Sequence, residues 1–112
     1  MRWHALVLAP HPDDAVFSCG GAIRRRAESG QNVLVVTVCA GEPPPTRDLS
    51  PFALRLHGRW LSAGPENERS PIPVHEVRRA EDARAVSGLG ATVEWWDVPD
   101  AIYRRDEAGG WP

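Results

Sequence analysis

Trp3–Asp14 reads WHALVLAPHPDD, and the rest of the fold can be read outward from this stretch. Trp3 to Ala9 is apolar except for His4, which predicts a central parallel strand buried on both faces. Pro10 and Pro12 end the strand, since a proline has no N–H to give to a ladder. Beyond the polar group His11–Asp14, apolar residues recur at Val16, Phe17, Ala22, Ile23 and Ala27, with Arg24, Arg25, Arg26 and Glu28 between the later ones. That spacing predicts an amphipathic helix closed by Gly30 at the left-handed C-terminal position. Asn32 to Val38, rich in valine, predicts the next strand, again apolar on both faces.

From Ala40 to His75 prolines accumulate and one apolar cluster stands out, Phe52 to Leu61. This is a long excursion with one short helix, of the kind that lies over a functional site or is partly disordered. Val74 to Val86 predicts a charged amphipathic helix stopped by Gly88 and Gly90, and Thr92 to Trp96 a third strand. Trp95 and Trp96 should face opposite sides of it. Strand, helix, strand, helix, strand opens a doubly wound sheet, so the expected architecture is α/β: a Rossmann-like three-layer fold with a parallel sheet, incomplete as β-α-β-α-β. Residues 1–112 read as a single truncated domain. The first strand of such a sheet is normally central, so ending after the third leaves Trp3–Ala9 with a bare edge. Homo-oligomerisation through that edge is the expected consequence.

A chain of 112 residues, 42% hydrophobic and 25% charged, fits one soluble unit. A net charge of −2 with scattered arginines offers no field for a phosphate backbone, so no nucleic-acid partner is expected. Nothing approaches the roughly 20 apolar residues of a membrane span. The apolar start runs straight into His11, Asp13 and Asp14, reading as a strand rather than a secretion signal, and a cytoplasmic location follows. Cys19 and Cys39 lack metal-knuckle spacing and read as reduced, mostly buried thiols.

The residues that carry chemistry follow the first strand directly, where parallel sheets bind ligands. His11 and Asp14 each offer a donor suited to zinc. The helix N-terminus beginning there favours ionised carboxylates, leaving Asp13 free to take a proton from an activated water. A simple turn and helix cap at Asp14 explains neither His11 nor a second carboxylate. A two-metal phosphoesterase needs a second ligand cluster, which the sequence lacks.

HPDD after an apolar strand, then Cys19-Gly20-Gly21 and an arginine-bearing helix, resembles the PIG-L/LmbE-like zinc-dependent de-N-acetylases. VRRAED at Val77–Asp82, LGA at Leu89–Ala91 and VPDAIYR at Val98–Arg104 extend the resemblance over essentially the whole chain. It implies removal of an acetyl group from an N-acetylglucosamine-type sugar conjugate, with Zn2+ as cofactor, His11 and Asp14 as its ligands and Asp13 as general base. Arg78, Glu81 and Asp100 match further family positions and are carried over as substrate-side or structural residues. Two features depart from the pattern. Ala15 stands where many relatives have glutamate, and the downstream His-x-x-Asp-His-like stretch that supplies a third ligand has no counterpart, so the chain looks like roughly the first half of such an enzyme. The rival reading is a catalytically inactive α/β module acting through partner or self association.

Other features have plainer explanations. His4 reads as a satisfied structural histidine, and Arg24–Arg26 as a solvated helix face. Gly20-Gly21 reads as close packing of helix on sheet rather than a phosphate loop. Nothing in the sequence brings His57 or His75 to the crevice as a third ligand.

Overall fold

The computed structural model describes residues 2–62 and 73–105. Three strands, β1 (Ala5–Ala9), β2 (Val33–Thr37) and β3 (Thr92–Trp95), form one parallel sheet in the order β1-β2-β3. Helix α1 (Asp14–Glu28) joins β1 to β2. The long connection after β2 holds a 3-10 turn (Thr46–Asp48) and α2 (Pro51–Ser62), which covers the predicted apolar cluster. Helix α3 (Val74–Gly88) leads into β3, and a second 3-10 turn (Ala101–Tyr103) follows. Part of the predicted excursion, residues 63–72, lies outside the described residues.

The register puts Ala5, Val7, Ala9, Val33, Val35, Thr37, Val93 and Trp95 on one face of the sheet. Ala15 and Ile23 of α1 and Val86 of α3 pack on that face, forming the buried core with Ala9, Val33 and Val35. Two right-handed crossovers stepping in the same direction put both helices on the same side. The parallel α/β expectation therefore holds, and its incompleteness takes a definite form. On the opposite face Leu6 and Leu8 remain 60% and 61% exposed.

This corrects the reading of Trp3–Ala9 as a central strand buried on both faces. Among the described strands β1 is an edge, with Ala9 buried and Val7 half-buried on one side only. The strand buried on both sides is β2, where Val33, Val35, Val36 and Thr37 are all buried. An apolar run records that a strand is meant to be covered; the elements that cover it are decided by the rest of the chain. Among the described residues no strand pairs with the outer edge of β1.

Gly30 takes the expected left-handed conformation (φ 82°) and its N–H donates to the Ala27 carbonyl at 3.0 Å. The close-packing explanation of Gly20-Gly21 does not hold. A Cβ on Gly20 would meet Leu89 at an ordinary 3.6 Å, and one on Gly21 would meet nothing within 4 Å. The backbone does approach closely at Gly41, where a Cβ would lie 2.9 Å from the Val98 carbonyl carbon.

The plainer readings are accounted for locally. His4 Nδ1 accepts from the Asn32 N–H at 2.9 Å. Arg24 pairs with Glu28 at 2.8 Å on an exposed surface, and Arg26 donates to Gln31. Trp95 is half-buried while Trp96 is 47% exposed, as alternation requires. Cys19 and Cys39 are both free and half-buried.

Candidate functional site

The site begins where β1 ends. Val38 and Cys39 donate their N–H groups to the carbonyls of Ala9 and Pro10, at 2.9 and 2.8 Å, carrying the parallel pairing past the strand. The chain then turns sharply through Asp13 (φ 74°, ψ −18°), the one non-glycine residue with positive φ among those described. Aspartate tolerates this conformation better than most side chains, but it still needs external support.

Asp82 supplies that support. Its carboxylate, 1% exposed, accepts from the Asp13 N–H (3.1 Å), the Thr37 hydroxyl (3.1 Å) and the Trp95 indole N–H (2.9 Å). One buried group thus ties the HPDD turn to β2, to β3 and to α3. The family resemblance points to Arg78 and Glu81 on this helix and not to Asp82. A signal was available: Val74, Arg78, Asp82 and Val86 form an i, i+4 stripe, so an acid within it had to be buried and partnered.

Asp13 is the helix N-cap residue, and its side chain makes no cap hydrogen bond. Asp14, the first helical residue, turns its Oδ2 back to accept from the His11 N–H at 3.0 Å. The same oxygen lies 3.3 Å from His11 Nδ1, with both side chains about 40% exposed (38% and 42%). The opposite ring nitrogen, Nε2, lies 3.2 Å from Asp100 Oδ2, and Asp100 is only 12% exposed. Asp100 is in turn fixed by accepting from the Ile102 N–H at 3.1 Å, capping the second 3-10 turn.

This donor set fits one edge of a zinc tetrahedron. Bonds of about 2.0–2.2 Å at the tetrahedral angle put two ligand atoms about 3.4 Å apart, close to the separation of His11 Nδ1 and Asp14 Oδ2. A carboxylate on the far ring nitrogen is the usual companion of a metal-binding histidine, because it holds the tautomer that leaves the other nitrogen's lone pair free. Among the described residues no group of three or more His, Cys, Asp or Glu side chains is arranged to hold a metal ion. The fit therefore extends to two ligands.

The Asp13 carboxyl is held above its usual pKa, chiefly by burial and then by the negative charges of Asp82, Glu81 and Asp14, with Arg78 opposing. Arg78 and Glu81 thus act on Asp13 through the field. Arg78 also lies over the Trp60 ring, 4.1 Å from its centroid. Beside it, His57 Nε2 hydrogen-bonds the Tyr103 hydroxyl. Burial, and then Asp100, pushes Tyr103 up to about 12. Burial and Arg78 lower His57.

Pro12, Asp100, Arg78, Trp60, His75 and Tyr103 border a small cavity of about 20 Å³, room for about one water. His75 and Tyr103 also wall a much larger cleft of about 950 Å³, together with His57. The fold therefore places His75, at the start of α3, beside Pro12 of the HPDD turn, and His57 of α2 in the wall of the large cleft. What the sequence did not reveal is that α2 packs against α3 and the second 3-10 turn.

A family model described as PIG-L, GlcNAc-PI de-N-acetylase, matches residues 6–109. The chain belongs to the PIG-L family. This PIG-L chain is 37% identical to a deacetylase of teicoplanin biosynthesis, solved in complex with teicoplanin, with a TM-score of 0.79 over 96% of this chain and 38% of that one. It is 36% identical to the zinc-inhibited form of the teicoplanin deacetylase Orf2, with a TM-score of 0.79 over 96% of this chain and 37% of that one. It is also 32% identical to the 4-oxalmesaconate hydratase of Pseudomonas putida, over 92% of this chain and 34% of that protein. The PIG-L chain thus spans a little over a third of these relatives, less than the half expected. No described helix is long and apolar enough to cross a membrane.

Proposed function

We propose that this chain contributes the metal-binding and proton-accepting part of a zinc-dependent hydrolase that removes the N-acetyl group from an N-acetylglucosamine-type sugar conjugate. One observation carries the reading: His11 Nδ1 and Asp14 Oδ2 stand 3.3 Å apart while Asp100 occupies the opposite ring nitrogen. His11 and Asp14 would hold the zinc. When bound, zinc supplies Lewis acidity toward the amide carbonyl and toward a water molecule. Asp13, next to a ligand and held by Asp82, would serve as the proton acceptor for a water bound there, on its carboxylate. Asp100 accepts the His11 Nε2 proton and keeps Nδ1 free to bind. Arg78, on the wall of the small cavity, and Glu81, acting on Asp13, are substrate-side or structural residues. The two structures of teicoplanin-pathway deacetylase support amide hydrolysis, and the zinc-inhibited form supports a site able to take up zinc.

The test pairs metal content with turnover. Zinc titration of the chain should show one site that is weakened in His11→Ala and in Asp14→Ala, because each removes one of two ligands. Acetate release from phenyl N-acetyl-β-glucosaminide should fall about 100-fold or more in Asp13→Asn while zinc is kept. Undiminished zinc affinity in both ligand variants would sink the assignment.

The hydratase relative favours a second reading, water addition to 4-oxalmesaconate, and supplying that compound in the same assay separates the two. The exposed Leu6 and Leu8 on the edge strand favour a third, an inactive module that self-associates. Concentration-dependent sedimentation abolished by Leu6→Glu, without zinc or acetate release, is its signature.

A further inference from the structure

We infer that the hydrogen bond between His57 and Tyr103 is a positioning contact for His11: it fixes the second 3-10 turn, and with that turn the Asp100 carboxylate that holds the His11 ring. This role rests on His11 being a zinc ligand, and it assigns a part to two residues that the deacetylase reading leaves unused.

Asp100 opens a turn that cannot hold itself. The turn is three residues long and none of them is buried, and a single 3-10 turn has little stability of its own. Asp100 is nevertheless bound to it twice. Its Oδ1 accepts from the Ile102 N–H at 3.1 Å, and its carbonyl accepts from the Tyr103 N–H at 3.0 Å. The other carboxylate oxygen, Oδ2, is the one 3.2 Å from His11 Nε2. A displacement of the turn therefore carries that oxygen away from the imidazole. Beyond the turn, Arg105 donates to the Asp48 carbonyl at 2.9 Å, but at an exposed position where water competes.

Helix α2 holds the turn from the other side. The rings of Tyr103 and His57 meet edge to face, with centroids 5.6 Å apart, and the Tyr103 hydroxyl is hydrogen-bonded to His57 Nε2. His57 is backed in turn by Trp60, three residues on and 5.6 Å away, whose ring takes the Arg78 guanidinium of α3 at 4.1 Å. Side-chain contacts thus run without a break from α3 through α2 to the turn. The protonation states suit the bond. Burial pushes Tyr103 up to about 12 and keeps it a phenol, while burial and then Arg78 lower His57 and keep it neutral, so the hydroxyl donates and Nε2 accepts. A ligand imidazole keeps its orientation only as firmly as the carboxylate on its far nitrogen is itself held.

Three variants of the full chain decide this. Tyr103→Phe removes the hydroxyl and keeps the ring, His57→Leu removes the acceptor from the opposite side, and His57→Gln restores one at similar reach. In the metal-free chain, nitrogen-15 spectra at about pH 8, where imidazole is neutral, should show His11 protonated on Nε2, facing Asp100. Tyr103→Phe and His57→Leu should each move part of that population to the Nδ1 tautomer, and His57→Gln should not. Competition with a chromophoric chelator should show zinc bound about three- to tenfold more weakly by the first two variants, a smaller loss than deleting Asp100 itself. Because the effect passes through Asp100, Tyr103→Phe should change affinity by less than about twofold in an Asp100→Ala background. A contact that only adds stability would lower the urea midpoint, leave the His11 tautomer in place and give additive affinity losses. An unmoved tautomer in both disruptive variants, or additive losses, overturns the inference. A tautomer shift in a chain that binds no zinc leaves the positioning role standing and fails the zinc reading; zinc binding with an unmoved tautomer does the reverse.

Discussion

Replacing Asp82 by alanine should destabilise the chain by about 4 kcal/mol. The carboxylate is 1% exposed and receives three hydrogen bonds, from Asp13, Thr37 and Trp95. A hydrogen bond to a charged group contributes about 1.5–3 kcal/mol. Thr37 is fully buried and would lose its partner outright, whereas Asp13 and Trp95 are half-buried and can recover part of the loss from water. That discount brings the sum to about 4 kcal/mol, against a total stability of roughly 5–15 kcal/mol for a domain. The midpoint of thermal unfolding should drop by about 15 °C or more. Asp82→Asn is the sharper probe. Its amide group, turned toward Thr37 and Trp95, lets the threonine hydroxyl reverse its role, but the indole can only donate. The cost should be about 2 kcal/mol, and Trp95→Phe in the same background should recover about 1 kcal/mol of it as coupling energy. Urea titrations followed by circular dichroism measure all four corners of the cycle. An Asp82→Ala chain within 1 kcal/mol of the parent, or zero coupling, would refute the claim that this carboxylate holds the HPDD turn.

Asp100→Ala should weaken zinc binding by about 10–100-fold through loss of the far-nitrogen partner of His11, while Asp100→Asn keeps an acceptor and most of the affinity; competition with a chromophoric chelator reads both. Gly41→Ala forces a methyl to within 2.9–3.0 Å of the Asp97–Val98 backbone and should cost about 1–3 kcal/mol by chemical denaturation. His57 has a lowered pKa in the folded chain, so below about pH 6.5 the unfolded chain takes up the proton first. Stability should then be lost as pH falls from 6.5 toward the folded value and level off below it, and His57→Gln should remove that slope in melting curves recorded between pH 5 and 8.

The open face of the sheet and the bare edge of β1 have one origin. Both crossovers step the same way, so α1 and α3 share one side and leave Leu6 and Leu8 on the other. A sequence run such as ALVLA carries the demand for burial without naming the neighbours that meet it. The stripe Val74, Arg78, Asp82 and Val86 marks Asp82 for burial, but its three partners, which converge from β2, β3 and the HPDD turn, are set only by the fold.

Periodicity and turn chemistry act over a few residues, and on that scale the chain could be read directly: three strands, the helices between them, the Gly30 cap and the position of His11, Asp13 and Asp14 at a strand end. Which strand lies at the edge, that Asp100 reaches His11 across 89 positions, and that His57 and His75 come to wall a cleft beside it depend on contacts between distant segments. Such contacts are set by how helices and strands pack in three dimensions, and local sequence spacing carries no record of them.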